Sequence, residues 1–156
     1  MAERIYIIGA GAIGKALAVC LANEGKDVVL VRSSLDRQPD EVEAIRLNLP
    51  DGSMLYADLD VRTFSSLSES NSIFVVASKS FANGVIAEKL RKVAIKAPIV
   101  LLQNGLNIER PFQSDGFTNL YRCVLMATSQ FTSANELRFR TVTASPIGSI
   151  TDESYC

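Results

Sequence analysis

A glycine-rich turn near the N-terminus constrains the fold of this chain more than any other feature. The apolar run that starts at Ile5 leads directly into Gly9-Ala-Gly-Ala-Ile-Gly14, which has the spacing Gly-x-Gly-x-x-Gly. Apolar residues at helical spacing follow over 12–24, and a second apolar strand is predicted at 27–31. Three spaced glycines are weak evidence alone. Between a strand and a helix they are typical of a turn that binds a dinucleotide.

Each glycine of the turn has its own role in this interpretation. Gly9 permits a tight turn, Gly11 lets a pyrophosphate approach the backbone, and Gly14 lets the helix pack closely on the strand. The helix N-terminus adds unpaired N–H groups and the positive end of its dipole. The predicted cofactor-binding residues of the turn are Gly9, Ala10, Gly11, Ala12, Ile13 and Gly14.

Two other interpretations of the N-terminal segment are open. The first is an ordinary strand-turn-helix built from small residues, without a ligand. The second is a secretory signal peptide, since the first residues are mostly apolar. Lys15 interrupts that apolar run, and Ile13, Leu17 and Leu21 keep helical spacing beyond it. These two observations argue against a signal peptide.

Arg32, directly after the predicted second strand, indicates which dinucleotide is bound. NAD-binding units usually carry Asp or Glu at this point, where the carboxylate accepts a hydrogen bond from the ribose 2′-hydroxyl. A guanidinium can instead form paired hydrogen bonds with a 2′-phosphate, and Ser33, Ser34 and Arg37 lie close behind it. The sequence therefore favours NADP over NAD, with Arg32 and Ser33 as cofactor-binding residues. The alternative is a solvated surface arginine.

Composition indicates a single cytoplasmic domain. The 156 residues are enough to bury roughly 70% of the unfolded surface. The net charge of −1 gives no reason to expect nucleic acid or an anionic membrane as a partner. The chain has no histidine, which excludes histidine-based catalysis, and its cysteines lack metal-site spacing. Cys20 is predicted to be a buried helix residue and Cys156 a free terminal thiol, and no metal is expected.

The rest of the chain alternates predicted strands and helices. Period-two patterns on both sides of Pro50-Asp51-Gly52-Ser53 predict a hairpin of 44–49 and 54–61. Other predicted elements are strands at 72–77, 98–102 and 120–127, helices at 81–93 and 107–112, and further strand pairing over 130–150. The predicted buried face of the 81–93 helix consists of Phe81, Val85, Ile86, Leu90 and Val93.

This order of elements predicts an α/β fold. We expect a Rossmann-type, mostly parallel sheet with helices on both faces and antiparallel additions near the C-terminus. The domain should extend over 1–150, with 151–156 as a polar tail.

The position of ligands in parallel sheets indicates two more candidate residues. Ligands lie beyond the carboxyl ends of the strands, at the point where the strand order reverses. Lys79 follows the strand at 72–77, and Asn104 follows the strand at 98–102, so both should lie on the cofactor side. A lysine could bind a substrate carboxylate or a cofactor phosphate, and an asparagine could hold a ribose, the nicotinamide amide or a substrate hydroxyl. The alternatives are a solvated loop lysine and a plain Asn-Gly turn.

Together these residues resemble the ketopantoate reductase (2-dehydropantoate 2-reductase) family. The resemblance covers residues 3–150 and is carried by Gly9–Gly14, Arg32, Val75-Val-Ala-Ser-Lys79, Leu101-Leu-Gln-Asn-Gly105 and Ser145-Pro-Ile-Gly148. It implies an NADP-binding domain of an oxidoreductase of pantothenate and coenzyme A biosynthesis. NADPH would deliver a hydride to a small 2-keto acid, 2-dehydropantoate. The resemblance also implies that Arg32 contacts the 2′-phosphate, and that Lys79 and Asn104 are candidate catalytic residues between cofactor and substrate.

The resemblance also implies a second, helical domain, which we expect this chain to lack. That helical domain supplies a lysine that acts as general acid, whereas the last lysine here is Lys96. We therefore expect NADPH binding, but weak or no reductase activity by this chain alone. It would be a fragment or a subunit completed by another chain, and a partly apolar docking face would favour a homo-oligomer. Two alternatives are another NADP-dependent dehydrogenase with a different substrate and a non-catalytic NADP(H)-binding or redox-sensing module.

Overall fold

The computed structural model describes residues 3–33, 38–67 and 72–150. The helices are α1 (Ala12–Asn23), α2 (Asn83–Ala94) and α3 (Arg110–Ser114), and short 3₁₀ turns span Phe64–Ser66 and Ser80–Ala82. The strands are β1 (Arg4–Ile8), β2 (Val28–Arg32), β3 (Glu41–Asn48), β4 (Met54–Thr63), β5 (Ser72–Val76), β6 (Ile99–Leu101), β7 (Leu120–Cys123), β8 (Ala127–Ser133), β9 (Glu136–Thr141) and β10 (Ile147–Ser149).

The described strands form one sheet, in the order β10-β7-β6-β5-β1-β2-β4-β3-β9-β8. Its centre is parallel: β1 pairs with both β2 and β5, β2 pairs with β4, and β6 lies between β5 and β7. The chain builds outward from β1 to β2 and later returns to place β5 on the other side of β1. The strand order therefore reverses between β1 and β5, and such a reversal leaves a crevice for ligands.

Helices cover both faces of the sheet, as the sequence predicted. Side chains alternate between faces along each strand. Tyr6 and Ile8 of β1 belong to the core that includes Ile86 of α2 and Phe112 of α3, whereas Ile7 belongs to the core that includes Val19 of α1. The α/β class and the mostly parallel Rossmann-type sheet are thereby confirmed.

The outer strands carry the antiparallel pairings. The predicted hairpin is present, with β3 and β4 antiparallel over Glu41–Val61. Further antiparallel pairs join β8 to β9 and β10 to β7, while β9 lies parallel to β3. The single strand predicted at 120–127 is wrong, because β7 and β8 lie in opposite halves of the sheet. The segment is mostly apolar, with Arg122 as its one charged residue, but the chain leaves the sheet after Cys123 and crosses to the other end of the sheet.

The predicted buried face of the second helix is partly wrong. Ile86 and Leu90 are buried, but Phe81 is 90% exposed and Val85 is 54% exposed. The α-helix begins only at Asn83, so Phe81 belongs to the preceding 3₁₀ turn and does not follow the helical spacing.

Three further predictions differ from the structure or lie outside it. The third helix lies at Arg110–Ser114 and not at 107–112, because Asn107 has a positive φ of 56° and Pro111 fits a first helical turn. Cys20 is half-buried, not buried. The predictions for Ser34, Arg37 and the 151–156 tail, with Cys156, concern residues outside the described part of the chain.

Candidate functional site

A cleft of about 1090 Å³ lies at the carboxyl ends of the central parallel strands. Its walls come from the turn after β1, the end of β2, the segments after β5 and β6, and part of β8. The predicted site residues that line it are Gly9, Ala10, Gly11, Ala12, Ile13, Arg32, Ser33, Lys79 and Asn104. Gly14 does not line the cleft; it is buried beneath the turn.

The three glycines are needed for different reasons. Gly9 has a φ of +115°, and a Cβ there would lie 2.7 Å from the backbone nitrogen of Ser78. A Cβ on Gly14 would lie 1.8 Å from the carbonyl oxygen of Gly9. A Cβ on Gly11 would meet no atom within 4 Å, because that position faces the cleft. Gly9 and Gly14 therefore let the turn close, while Gly11 leaves space above it.

Helix α1 presents its N-terminus to this space. Its first backbone bond runs from the Lys15 N–H to the Gly11 carbonyl at 2.9 Å, so the preceding amides have no acceptor within the helix. Within the described structure no side chain caps this end, and its first turn carries no acidic residue. Ser129 of β8 donates to the carbonyl of Ala12 at 2.8 Å, which ties β8 to the turn. The arrangement suits an anion at the helix N-terminus.

Arg32 is enclosed by charged residues at the other end of the cleft. Its side chain is 12% exposed and pairs through Nη2 with Glu41 and, at 3.5 Å, with Glu43. The second Glu43 oxygen accepts a hydrogen bond from Lys15 Nζ at 2.5 Å. Arg32 Nη1 is buried and has no hydrogen-bond partner among the described residues. Arg32 is therefore not a solvated surface arginine, and one of its donor nitrogens is unused.

A pair of buried amides joins the segments that carry Lys79 and Asn104. Asn83 Nδ2 donates to Gln103 Oε1 at 2.8 Å, and Gln103 Nε2 donates to Asn83 Oδ1 at 2.5 Å. Gln103 Nε2 also donates to the carbonyl of Ser78 at 2.9 Å. These bonds hold the residues next to Lys79 and Asn104, whose exposed side chains lie at the cleft.

Sequence reasoning missed the residues that complete the site. Lys15 was considered only as an interruption of an apolar run, and Glu43 lay outside the predicted strand at 44–49. Asn83 belonged to no motif, and Gln103 lay within the Leu101–Gly105 motif but was given no role there. Lys15, Glu43, Asn83 and Gln103 join the site through contacts between segments that are distant in sequence. No spacing along the chain indicates those contacts.

The residues present fit a dinucleotide. The cleft offers open space over Gly11, unpaired amides at the α1 N-terminus, and two buried polar atoms without partners, Arg32 Nη1 and Ser78 Oγ. Buried polar atoms are rarely left unpaired, so each of these two atoms has a hydrogen bond to offer to a water or to a polar ligand. Among the described residues no cluster of acidic or sulfur side chains could hold a metal ion, and none of the described helices has the length and apolarity to cross a membrane.

Comparison with protein families decides which family this fold and site belong to. The family model described as ketopantoate reductase PanE/ApbA matches residues 5–151. The chain belongs to the ketopantoate reductase family. Membership makes it a nicotinamide-dinucleotide-binding domain of an oxidoreductase family. No match was found among curated proteins.

Solved structures show the same fold at low sequence identity. The 2-dehydropantoate 2-reductase of Geobacter metallireducens GS-15 aligns with a TM-score of 0.77 at 22% identity, covering 94% of this chain and 49% of that one. A dimeric ketopantoate reductase from Staphylococcus aureus gives a TM-score of 0.69 at 18% identity, covering 92% and 51%. D-mandelate dehydrogenase with NADH and anilino(oxo)acetate gives 0.69 at 17% identity, covering 93% and 47%. The chain therefore spans about half the length of these relatives.

Proposed function

We propose that this chain binds NADPH in the cleft and is the nucleotide-binding part of a reductase that converts a small 2-keto acid, such as 2-dehydropantoate, to its 2-hydroxy acid. The observation that carries the proposal is the form of the turn after β1. Gly11 leaves open space directly beside the unpaired amides of the α1 N-terminus. A pyrophosphate group needs both that space and those donors.

The proposed preference for NADPH rests on Arg32. Its guanidinium is buried at the carboxyl end of β2, where the adenosine ribose of a dinucleotide lies in this fold. Nη1 has no existing bond to lose, but it is buried, so donation to a 2′-phosphate requires the chain around it to shift. Ser33 lines the cleft beside Arg32 and adds a hydroxyl donor. Arginine suits this task because its planar fork matches phosphate oxygens.

Bound NADPH would supply the hydride, and Lys79 and Asn104 are the proposed polar groups at the reacting end. Hydride addition to a ketone produces a developing alkoxide, which must be stabilised and protonated. The Lys79 ammonium can donate to a substrate carboxylate or to that oxygen. Asn104 can hold the carboxamide of the nicotinamide or a substrate hydroxyl. The Asn83–Gln103 pair keeps the two segments in place.

We also propose that the active enzyme needs a further, helical domain. Positioned acid catalysis typically contributes about 10²–10⁴-fold to a rate. The described cleft is open, with Phe81 and Leu106 each 90% exposed near the segments that carry Lys79 and Asn104. A second domain covering them would exclude water from the reacting atoms. Alone, the chain should bind NADPH but turn over 2-dehydropantoate far below about 10 s⁻¹, a typical enzyme rate.

A second candidate function keeps the fold and changes the substrate and nucleotide. It is favoured by the similarity to D-mandelate dehydrogenase, whose structure holds NADH. Self-association and a cytoplasmic location stay predictions. The relative from Staphylococcus aureus is described as dimeric.

The proposed function is tested by calorimetric titration of the chain with NADPH and NADH, each beside the variant Gly11→Val. We expect binding to the wild type with NADPH preferred, and at least a hundredfold loss of both nucleotides in the variant. A Cβ at position 11 has room, and Gly11 has a negative φ of −81°, so the variant should fold, with a small loss of melting temperature because valine is a poorer helix N-cap than glycine. No binding of either nucleotide by the wild type, or normal binding by Gly11→Val, would overturn the proposal.

A further inference from the structure

We infer that Glu43 sets the nucleotide preference of the cleft, by opposing the 2′-phosphate of NADPH and accepting a hydrogen bond from the 2′-hydroxyl of NADH. The inference rests on the proposed function, since it concerns the same cleft. It assigns a specificity-determining role to a β3 residue that belongs to no glycine motif and follows no central parallel strand.

The Glu43 carboxylate is held at the cleft, beside Arg32. It lines the cleft together with Arg32 and Lys15, and its side chain is 17% exposed. Lys15 Nζ lies 2.5 Å from one carboxylate oxygen, and Arg32 Nη2 lies 3.5 Å from the other. Two cations on different elements therefore fix the carboxylate. If the carboxylate turned away when a ligand entered, the buried Lys15 would lose its ion-pair partner.

The charged side chains at this end of the cleft balance one another. Arg32 and Lys15 contribute two positive charges, and Glu41 and Glu43 contribute two negative charges, so the formal charge of the group is zero. A phosphate monoester adds about −1.5 to −2 at neutral pH. Placed on Arg32, that charge would meet the fixed Glu43 carboxylate as well as the guanidinium. Glu43 thus weakens the attraction that Arg32 alone would give NADPH.

In NADH the adenosine ribose carries a 2′-hydroxyl where NADPH carries the phosphate. Dinucleotide-binding domains that take NAD usually place an acidic residue at the end of the second strand, where it accepts from the ribose 2′-hydroxyl. Here β2 ends with Arg32, and the carboxylate beside it comes from β3. From its position beside Arg32, the Glu43 carboxylate can accept a hydrogen bond from the ribose 2′-hydroxyl of NADH. The cleft therefore holds a phosphate-binding group and a hydroxyl-binding group side by side, and the balance between them sets the preference.

The test is Glu43→Gln, titrated with NADPH and with NADH separately. Glutamine keeps the side-chain length and an oxygen for Lys15 but removes the charge. We expect NADPH to bind about tenfold more tightly and NADH severalfold more weakly, so that the ratio of the two dissociation constants changes by more than tenfold. A merely structural role would weaken both nucleotides equally. Equal weakening, or a ratio within twofold of the wild type, would overturn the inference.

Two further variants serve as controls. Glu88→Gln makes the same charge change at an exposed position on α2, and both dissociation constants should stay within twofold of the wild type. Glu41→Gln removes the negative charge of the half-exposed partner of Arg32 and should tighten NADPH by a few fold without affecting NADH. If Glu43→Gln does not fold, unchanged NADPH binding by Glu41→Gln would overturn the inference. Failure of the proposed function is separate, because it appears as no binding by the wild type.

Discussion

The two ends of the cleft are built in different ways. At the turn after β1, the site consists of backbone: open space over Gly11, unpaired amides, and close contacts under Gly9 and Gly14. At the end of β2, the site consists of charged side chains, with Arg32 held by Glu41 and Glu43. The first end depends on the local path of the chain. The second depends on β3, which supplies Glu41 and Glu43 and is separated from β2 in the sheet only by β4.

This difference predicts different responses to substitution. A backbone site has no side chain to lose and fails when an atom is added. A charged site tolerates changes in shape but responds to the removal of one charge. Substitutions at the turn should therefore cost more stability than substitutions among the charged side chains.

The largest effect is expected for Gly14→Ala. The new Cβ would lie 1.8 Å from the carbonyl oxygen of Gly9, a backbone atom that cannot move without opening the turn. We expect the free energy of unfolding to fall by about 3 kcal/mol or more, measured by urea denaturation. The matched control is Gly84→Ala in α2, where a Cβ meets no atom within 4 Å. That variant should gain about 0.5 kcal/mol from helix propensity. Equal effects of the two substitutions would contradict the account of the turn.

A smaller effect is expected for Glu43→Ala, which removes the partner of buried Lys15. Loss of the Glu43 carboxylate should lower the free energy of unfolding by about 2–3 kcal/mol, because the buried Lys15 ammonium and the Arg32 guanidinium both lose an ion-pair partner. The matched control is Asp27→Ala, which breaks the Arg4–Asp27 pair, 38% and 42% exposed, and should change stability by about 0–1 kcal/mol. If the two variants lose the same stability, the ion-pair group at the cleft is no more tightly held than a surface pair.

The smallest effect concerns Cys20, near the end of α1 that lies away from the cleft. Burial, with a smaller contribution from Glu24, raises the pKa of this thiol above its ordinary value of 9.0. The folded chain thus holds the proton more tightly than the unfolded chain. The stability this provides is present below pH 9.0 and is lost as the pH rises through the folded pKa. Alkylation of Cys20 at pH 8, followed by mass spectrometry of its peptide, should be severalfold slower than in urea. Equal rates would contradict the partial burial of Cys20.

Sequence reasoning succeeded where structure depends on local geometry. The glycine spacing predicted the turn, the alternation of strands and helices predicted the parallel centre, and the ends of β5 and β6 placed Lys79 and Asn104 at the cleft. The hairpin was found from its turn residues, although β3 begins at Glu41 and not at residue 44.

Sequence reasoning failed where structure depends on distant partners. The mostly apolar segment 120–127 contains no signal that its two ends pair with opposite halves of the sheet. Phe81 is apolar but exposed, because the helix starts two residues later than its spacing suggested. Glu43 joins the site only because β3 folds back along β4, which itself lies next to β2. Neither its residue type nor its position in the chain marks it.

The central claim is that the cleft binds a nicotinamide dinucleotide through the turn after β1. Its most direct test is a titration of the ¹⁵N-labelled chain with NADPH, followed by amide NMR. The account predicts that the largest shifts belong to the amides of residues 11–14, with further shifts at Arg32 and Ser33, and that Gly11→Val abolishes them. Saturable shifts confined to amides outside the cleft, or no shifts at millimolar NADPH, would contradict it.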